Sequence, residues 1–178
     1  MLRICLFYLT AGLAPLLGIA TSAHAQEGQP ERRSSIVEAC SGSEHRQFDF
    51  WLGDWEVTDN AGTVVGENLI TRVSRGCGLL ESWRGANGNE GNSLNWFDPQ
   101  TGHWNQLWVG SGLYLQLTGG LEDRQMVLSG ERKTPQGVVI DRVEWTPLDD
   151  GRVRQVWKVS RDSGKTWQVV FDGMYARR

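Results

Sequence analysis

The sequence predicts an all-β protein, a single antiparallel up-and-down β-barrel of nine or ten strands that follows a cleaved signal peptide. From Phe48 onward, short runs rich in Val, Leu and Trp alternate with turn residues at intervals of about 8 to 12 residues, which is typical of β-sandwiches and barrels. No apolar repeat of helical period extends over about ten or more residues, so the same region predicts no long helix.

The turns between these runs carry Gly, Asn or Asp, which adopt the positive φ that tight hairpins require. They lie at 59–62, 87–89, 98–102, 110–112, 119–120, 135–137, 149–151 and 162–164. Loops this short join antiparallel neighbours, because a parallel crossover needs roughly a dozen residues or more. A sheet of nine or ten twisted strands tends to curl and close. A closed barrel is therefore favoured over an open sandwich.

Residues 1–25 predict export. One Arg precedes an apolar run of about 17 residues at 4–20, and Ala-His-Ala at 23–25 has the small-x-small pattern that signal peptidase accepts. We expect cleavage after Ala25 and a periplasmic or secreted mature protein. The alternative is a retained membrane anchor, for which a run of this length interrupted by Pro15 is short.

The sequence divides into the signal peptide, a polar leader at 26–46 that is expected to be ordered only near Cys40, and a barrel domain at 47–178. Cleavage removes Cys5 and leaves Cys40 and Cys77 as the only thiols. In an oxidising compartment we expect them to form a disulfide. In the chain-entropy model a closed loop of about 38 residues contributes roughly 4 kcal/mol of stability. The alternative is two unpaired thiols.

The net charge of the chain is −3, and it becomes −4 when the signal peptide and its single Arg are removed. The basic residues are scattered and form no stripe, which argues against a nucleic-acid partner. After the signal peptide, no stretch is long and apolar enough to span a membrane, so no stable span is expected in the mature form.

The most distinctive stretch is Phe48–Val57, with the sequence FDFWLGDWEV, which carries Gly-x-Trp at Gly53 and Trp55. It resembles the opening strand of lipocalins and related calycin barrels, in which the Trp closes one end and a basic residue from the last strand packs over it. The resemblance implies that Arg177, which follows an expected final strand at 167–175, packs over Trp55 as a cation–π partner.

Together with its FDFW residues, this segment is also similar to a family of bacterial exported proteins that share an FDFWLGxW-type opening. The turn FDPQTGHW at Phe97–Trp104 fits the same family. The resemblance covers residues 48–175 and implies a lipocalin-like barrel. It implies no activity and no catalytic residues.

A second motif, Ser160–Trp167, matches the Asp-box pattern S-x-D-x-G-x-T-W. This hairpin is repeated in sialidase propellers, whereas one copy is present here, and a propeller needs several blades. We expect a structural role: the Asp162 carboxylate accepts backbone N–H bonds across the turn, and Trp167 packs beneath it.

The nine Trp residues all lie beyond the signal peptide, and they either fill the barrel core or line a ligand cavity. Residues two apart in a strand share a face. Three faces mix aromatic and polar residues: Leu79, Glu81 and Trp83; Trp104, Gln106 and Trp108; Val153, Gln155, Trp157 and Val159. Such a mixture suits a pocket with a few polar anchors better than a dry core.

The candidate ligand-binding residues are therefore Glu81, Trp83, Trp104, Gln106, Trp108 and Trp157. Whether Glu81 and Gln106 point inward or to solvent stays open at this level. If they point inward they need partners, and Arg142 or Arg154 would be the available cations.

No catalytic or metal constellation is evident, and no cofactor is expected. His45 and His103 are too few for a His-based metal site, and the chain has no nucleophile elbow. Haem ligation by His103 is disfavoured, because a lone His after a turn is usually a surface residue.

Three functions remain. The favoured one is binding of a small apolar or amphipathic molecule. The others are an enzyme that uses a buried carboxylate such as Glu81 as a base, and an envelope structural or interaction module with a filled core and an apolar outer patch. Ligand identity and oligomeric state are left open.

Overall fold

The computed structural model describes residues 40–178, so the predicted signal peptide and most of the polar leader lie outside the described residues. Ten antiparallel strands form one closed barrel in which each strand pairs with its sequence neighbours and the last strand pairs with the first. The predicted up-and-down barrel is confirmed. The strands are β1 (Gly53–Thr58), β2 (Val64–Val73), β3 (Gly78–Gly85), β4 (Glu90–Asp98), β5 (His103–Gly110), β6 (Leu113–Glu122), β7 (Gln125–Thr134), β8 (Gly137–Pro147), β9 (Val153–Ser160) and β10 (Gln168–Arg177).

The described residues also contain three short 3-10 helices, at Ser43–Arg46, Asp49–Trp51 and Ser74–Gly76. No helix between residues 40 and 178 is long and apolar enough to cross a membrane.

One predicted turn, at Gly119-Gly120, is wrong. β6 continues through both glycines, and the chain reverses at Asp123 and Arg124, whose φ values are +42° and +72°. A Cβ at Gly119 would overlap the carbonyl oxygen of Val127 on the neighbouring strand. Gly119 therefore permits a close approach of two strands, whereas the polar pair after β6 makes the turn.

One end of the barrel is closed by the residues that precede β1. The FDFW segment lies before the first strand: Asp49–Trp51 is a 3-10 turn, and Phe48 and Trp51 are fully buried. Their rings stack at 4.9 Å, and Phe48 meets the rings of Trp104 and Trp145 edge-on. This aromatic cluster of Phe48, Trp51, Trp104 and Trp145 fills the closed end, and we call it the aromatic plug.

The expected disulfide between Cys40 and Cys77 is present. It joins the segment before Phe48 to the β2–β3 connection. An ion pair between Arg72 and Asp49 links the same two regions. A disulfide and an ion pair thus tie the segment that carries part of the plug to the end of β2 and the β2–β3 connection.

The Arg177 guanidinium lies 4.4 Å from the centre of the Trp55 ring. Trp55 is fully buried, and its Nε1 donates a hydrogen bond to the carbonyl of Trp51. β10 is two residues longer at its end than expected, so Arg177 is its last residue and lies directly opposite Trp55 on β1.

The hairpin between β9 and β10 is organised by Asp162. Its Oδ1 accepts hydrogen bonds from the Thr166 amide at 2.9 Å and from the Ser160 hydroxyl at 2.8 Å, and its Oδ2 accepts from the Thr166 hydroxyl. Hydrogen bonds from Thr166 and Ser160 lower the pKa of Asp162 to about 2. The indole of Trp167 lies against the turn at Gly164 and is 40% exposed.

Candidate functional site

A cavity of about 520 Å³ occupies the half of the barrel opposite the aromatic plug. Its rim is formed by the β1–β2, β3–β4 and β5–β6 hairpins, which contribute Asp59, Asn87, Asn89, Glu90 and Ser111. These rim residues are exposed or half-buried, so the cavity communicates with solvent. Its volume is within the usual range for small-molecule sites, about 300 to 1,000 Å³.

The walls of the cavity are largely aromatic and aliphatic. They include Trp83 on β3, Trp108 on β5, Trp157 on β9 and Phe171 on β10. The apolar surface is completed by Val65 of β2, Leu113 and Leu115 of β6, Val143 and Trp145 of β8, and Val170 of β10.

Two glycines make room for the indoles. A Cβ at Gly66 would overlap the ring of Trp83, and a Cβ at Gly91 would overlap the ring of Trp108. The two indoles therefore pack closely against the backbones of β2 and β4 at these glycines. Glycine in a strand interior often marks such a close approach.

At the inner end of the cavity lies the carboxyl group of Glu81, which is only 4% exposed. Its Oε1 accepts a hydrogen bond from Asn68 Nδ2 at 2.7 Å, and its Oε2 accepts one from the Ser93 hydroxyl at 2.5 Å. Both donors are uncharged and lie on the adjacent strands β2 and β4.

The hydrogen bonds continue from Glu81 in two directions. On one side Asn95 donates to Ser93, and Gln106 donates to Asn95, each at 2.8 Å. On the other side Asn68 also donates to the Tyr175 hydroxyl at 3.3 Å, and that hydroxyl donates to Gln155 Oε1. Trp145 Nε1 donates to the same Gln155 oxygen. A buried polar network thus crosses the barrel between the aromatic plug and the cavity.

Burial changes the acidity of two groups in this network. Desolvation raises the pKa of Glu81 to about 7, although the hydrogen bonds from Ser93 and Asn68 oppose the rise. The pKa of Tyr175 is raised well above 10 by burial and by the nearby Glu81 charge. A carboxyl group that titrates near neutral pH therefore faces a solvent-connected cavity.

The structure brings together five of the six residues predicted to bind a ligand: Glu81, Trp83, Gln106, Trp108 and Trp157 all line the cavity. The sixth, Trp104, lies elsewhere, in the plug. It is 2% exposed, contacts Phe48, and donates a hydrogen bond to Gln47.

The prediction that Arg142 or Arg154 is the cation partner of Glu81 and Gln106 is wrong. Arg142 pairs with Glu144, and Arg154 pairs with Asp172. Both arginines follow the strand alternation that places their neighbours inside and their own side chains outside. The actual partners are the neutral side chains of β2 and β4.

Several residues of the site were not singled out as ligand-binding, namely Asn68, Ser93, Gln155 and Tyr175. For Asn68 the available signal was the inward face of its strand, where it alternates with Gly66 and Ile70. Ser93 and Asn95 similarly share one face of β4. A run of polar residues on one strand face can equally indicate an exposed face, so the pattern alone does not show whether these side chains point into the barrel.

A second buried carboxylate, Asp141, lies on β8 and, unlike Glu81, has a cationic partner. It is 1% exposed, and it forms an ion pair with Arg132 at 2.6 Å while accepting a hydrogen bond from Trp157 Nε1 at 2.9 Å. Within residues 40–178, no group of three or more His, Cys, Asp and Glu side chains is placed to hold a metal ion.

The outer surface carries a row of leucines on adjacent strands. Leu80, Leu94 and Leu107 lie directly opposite one another on β3, β4 and β5, and each is 38 to 45% exposed. The barrel therefore has an apolar outer row as well as an interior cavity.

The fold and the cavity define a closed ten-stranded up-and-down barrel with an interior site, an architecture compatible with a lipocalin-like fold. No protein-family model matches the chain, and no curated protein matches its sequence. Membership of the exported family indicated by the FDFWLGxW opening stays a prediction.

Proposed function

We propose that this protein binds a small amphipathic molecule inside its barrel. The observation that carries the proposal is the cavity of about 520 Å³ with indole walls and the hydrogen-bonded polar groups of Glu81, Gln106 and Tyr175 at its inner end. Apolar walls supply most of the binding free energy in such sites, and a few polar groups fix the orientation of the ligand.

N-phenyl-1-naphthylamine, an aromatic amine that fluoresces in apolar pockets, tests this proposal. We expect saturable fluorescence enhancement with the wild-type protein. Leu113→Trp, at the mouth of the cavity, should weaken binding at least tenfold by occupying the space. Leu107→Trp on the outer face is the matched control and should leave binding unchanged. No saturable binding, or equal weakening by both variants, would contradict an interior site.

We also propose that the protein acts outside the cytoplasm after removal of residues 1–25. The Cys40–Cys77 disulfide supports this, because disulfides persist in oxidising compartments. N-terminal sequencing of protein recovered from the periplasm or medium of an expressing bacterium should begin at Gln26. An uncleaved chain in the membrane fraction would contradict export by this route.

A second candidate is an enzyme in which Glu81 acts as a general base. Its support is the pKa of about 7, which matches the range in which a general base is most effective. The probe 5-nitrobenzisoxazole opens when a base removes its ring proton, and desolvated carboxylates accelerate this step. We expect a rate that rises with pH through about 7 and is lost in Glu81→Gln. A rate unchanged by Glu81→Gln would exclude Glu81 as the base.

A further inference from the structure

The residues that line the cavity are unbalanced in charge. Four of them are acidic, namely Asp59, Glu81, Glu90 and Asp172. Among the described residues, no Lys, Arg or His lines it. Asp172 is neutralised by Arg154 on the outside of the barrel. The remaining carboxylates give the lining a net negative charge, which favours cations and disfavours anions such as fatty acids.

The two buried carboxylates of the barrel differ in one respect. Asp141 has a cationic partner, Arg132, whereas the hydrogen bonds to the Glu81 carboxyl group come from the neutral side chains of Asn68 and Ser93. A buried carboxylate is costly when no cation accompanies it. Each Glu81 oxygen accepts one of these hydrogen bonds and retains a further lone pair for another donor.

The walls are suited to a cationic group. Three of the four indoles that line the cavity already use their N–H groups. Trp83 Nε1 donates to Asn89, Trp157 Nε1 donates to Asp141, and Trp145 Nε1 donates to Gln155. A ligand therefore contacts the faces of these indole rings and not their N–H groups. Indole faces attract ammonium groups, and such contacts strengthen when the site is desolvated.

On the basis of the ligand binding proposed above, we propose that the cavity selects amphipathic organic cations. The ammonium group of the ligand is held by the Glu81 carboxylate and the wall indoles, and its apolar body fills the space between Leu113, Leu115 and Val143. The ligand class is therefore an amine or quaternary ammonium compound with an aromatic or aliphatic portion.

Two isosteric probes isolate the charge. Phenyltrimethylammonium and tert-butylbenzene have the same shape and differ in whether the central atom is a charged nitrogen or a carbon. Titrations at pH 8 are followed by the indole N–H resonances in ¹H–¹⁵N NMR spectra. Trp83, Trp108 and Trp157 report on the cavity, and Trp51 and Trp55 in the closed end serve as internal controls.

We expect phenyltrimethylammonium to bind the wild-type protein at least tenfold more tightly than tert-butylbenzene. Glu81→Gln should reduce this preference to threefold or less, while Glu90→Gln at the rim should retain most of it. The inference is overturned if tert-butylbenzene binds equally well or better, or if Glu90→Gln removes the preference and Glu81→Gln does not.

A third probe separates this inference from the proposed function. If N-phenyl-1-naphthylamine binds in the cavity and phenyltrimethylammonium does not, the cation class is wrong and interior binding stands. If none of the three probes shifts the cavity indoles, both proposals fail.

The wild-type protein provides a test that needs no variant. Phenyltrimethylammonium has a permanent charge, so any pH dependence belongs to the protein. The side chains around Glu81 are Asn68 of β2, Ser93 and Asn95 of β4, Gln106 of β5, and Tyr175 of β10, and of these only Tyr175 titrates, well above pH 10.

The preference for the charged probe should therefore fall at least threefold between pH 8 and pH 5.5 as Glu81 gains its proton. The rim carboxylates of Asp59 and Glu90 and the Arg154-paired Asp172 are the other acidic groups of the cavity. A preference that stays constant between these pH values would overturn the role of Glu81.

Discussion

The Ser93 hydroxyl donates a 2.5 Å hydrogen bond to Oε2 of Glu81, directly across the pair of strands β3 and β4. Asn68 donates to the other carboxyl oxygen from β2. The carboxyl group is therefore held on both sides by neutral donors, which stabilise its charged form only in part. Desolvation prevails over them, and the pKa of Glu81 is about 7.

The raised pKa of Glu81 makes folding stability depend on pH. The folded protein binds the proton more tightly than the unfolded chain, so this contribution to stability is fully present below pH 4.5 and is lost as pH rises through about 7. At about 1.4 kcal/mol for each pH unit between the two pKa values, the loss is about 3 kcal/mol.

Urea unfolding of the wild type and Glu81→Gln at pH 4.5 and pH 8 measures this loss. From pH 4.5 to pH 8 the wild type should lose up to about 3 kcal/mol of unfolding free energy relative to the variant. Glu56→Gln, an exposed substitution on β1, is the control and should follow the wild type. A difference between Glu81→Gln and the wild type that does not change with pH would contradict the buried-carboxyl assignment.

Removal of the disulfide should destabilise the barrel and loosen its plug. The double variant Cys40→Ser/Cys77→Ser frees the segment that carries Phe48 and Trp51 into the closed end. We expect a loss of about 4 kcal/mol in the free energy of unfolding. Dithiothreitol should lower the stability of the wild type to that of the variant and leave the variant unaffected. A variant as stable as the wild type would show that the plug holds without the covalent link.

Gly91→Ala should push the Trp108 ring out of its position, because the new Cβ overlaps that indole. Overpacking of this kind costs about 1 to 3 kcal/mol. The displaced ring also narrows the cavity, so the affinity for N-phenyl-1-naphthylamine should fall. Gly120→Ala is the matched control, since a Cβ there has no atom within 4 Å. Equal effects of the two substitutions would contradict the proposed packing.

Arg177 should stabilise the barrel through its contact with the Trp55 ring. Arg177→Met keeps much of the apolar stem and removes the charge, and it should lower the free energy of unfolding by about 0.5 to 1 kcal/mol. Arg177→Lys retains a cation and should recover part of the loss. If the Lys variant is as unstable as the Met variant, a nonspecific loss of packing explains the effect better than a cation–π contact.

Features of this chain that have a local cause are predictable from the sequence, whereas features that depend on a neighbouring strand are not. The positive φ at Gly62, Gly102 and Gly151 was predictable because a tight turn is a local requirement. The role of Gly119 was not, because its requirement comes from Val127 on the next strand. A glycine pair alone does not distinguish a reversal from a close approach.

Strand alternation alone argues against Arg142 and Arg154 as cation partners of Glu81. Each arginine is flanked by residues of the inner face, such as Asp141 and Val143 around Arg142, and strict alternation places the arginine outside. The neutral partners of Glu81 were harder to predict. Asn68 is 13 residues away in sequence, and the link from Asn68 to Tyr175 spans 107 residues. Such contacts require the register of neighbouring strands and closure of β10 on β1.

The sequence alone predicted the strands, most hairpins, the closed barrel and the pairing of Cys40 with Cys77, because turn chemistry, period-two alternation and cysteine count are local or compositional. Only the tertiary structure decided that the barrel is hollow at one end and filled at the other. That outcome depends on where Phe48 and Trp51 pack, and on which side chains closure brings around Glu81. A shift of one residue in register would exchange inside for outside, so the cavity is a property of the assembled barrel.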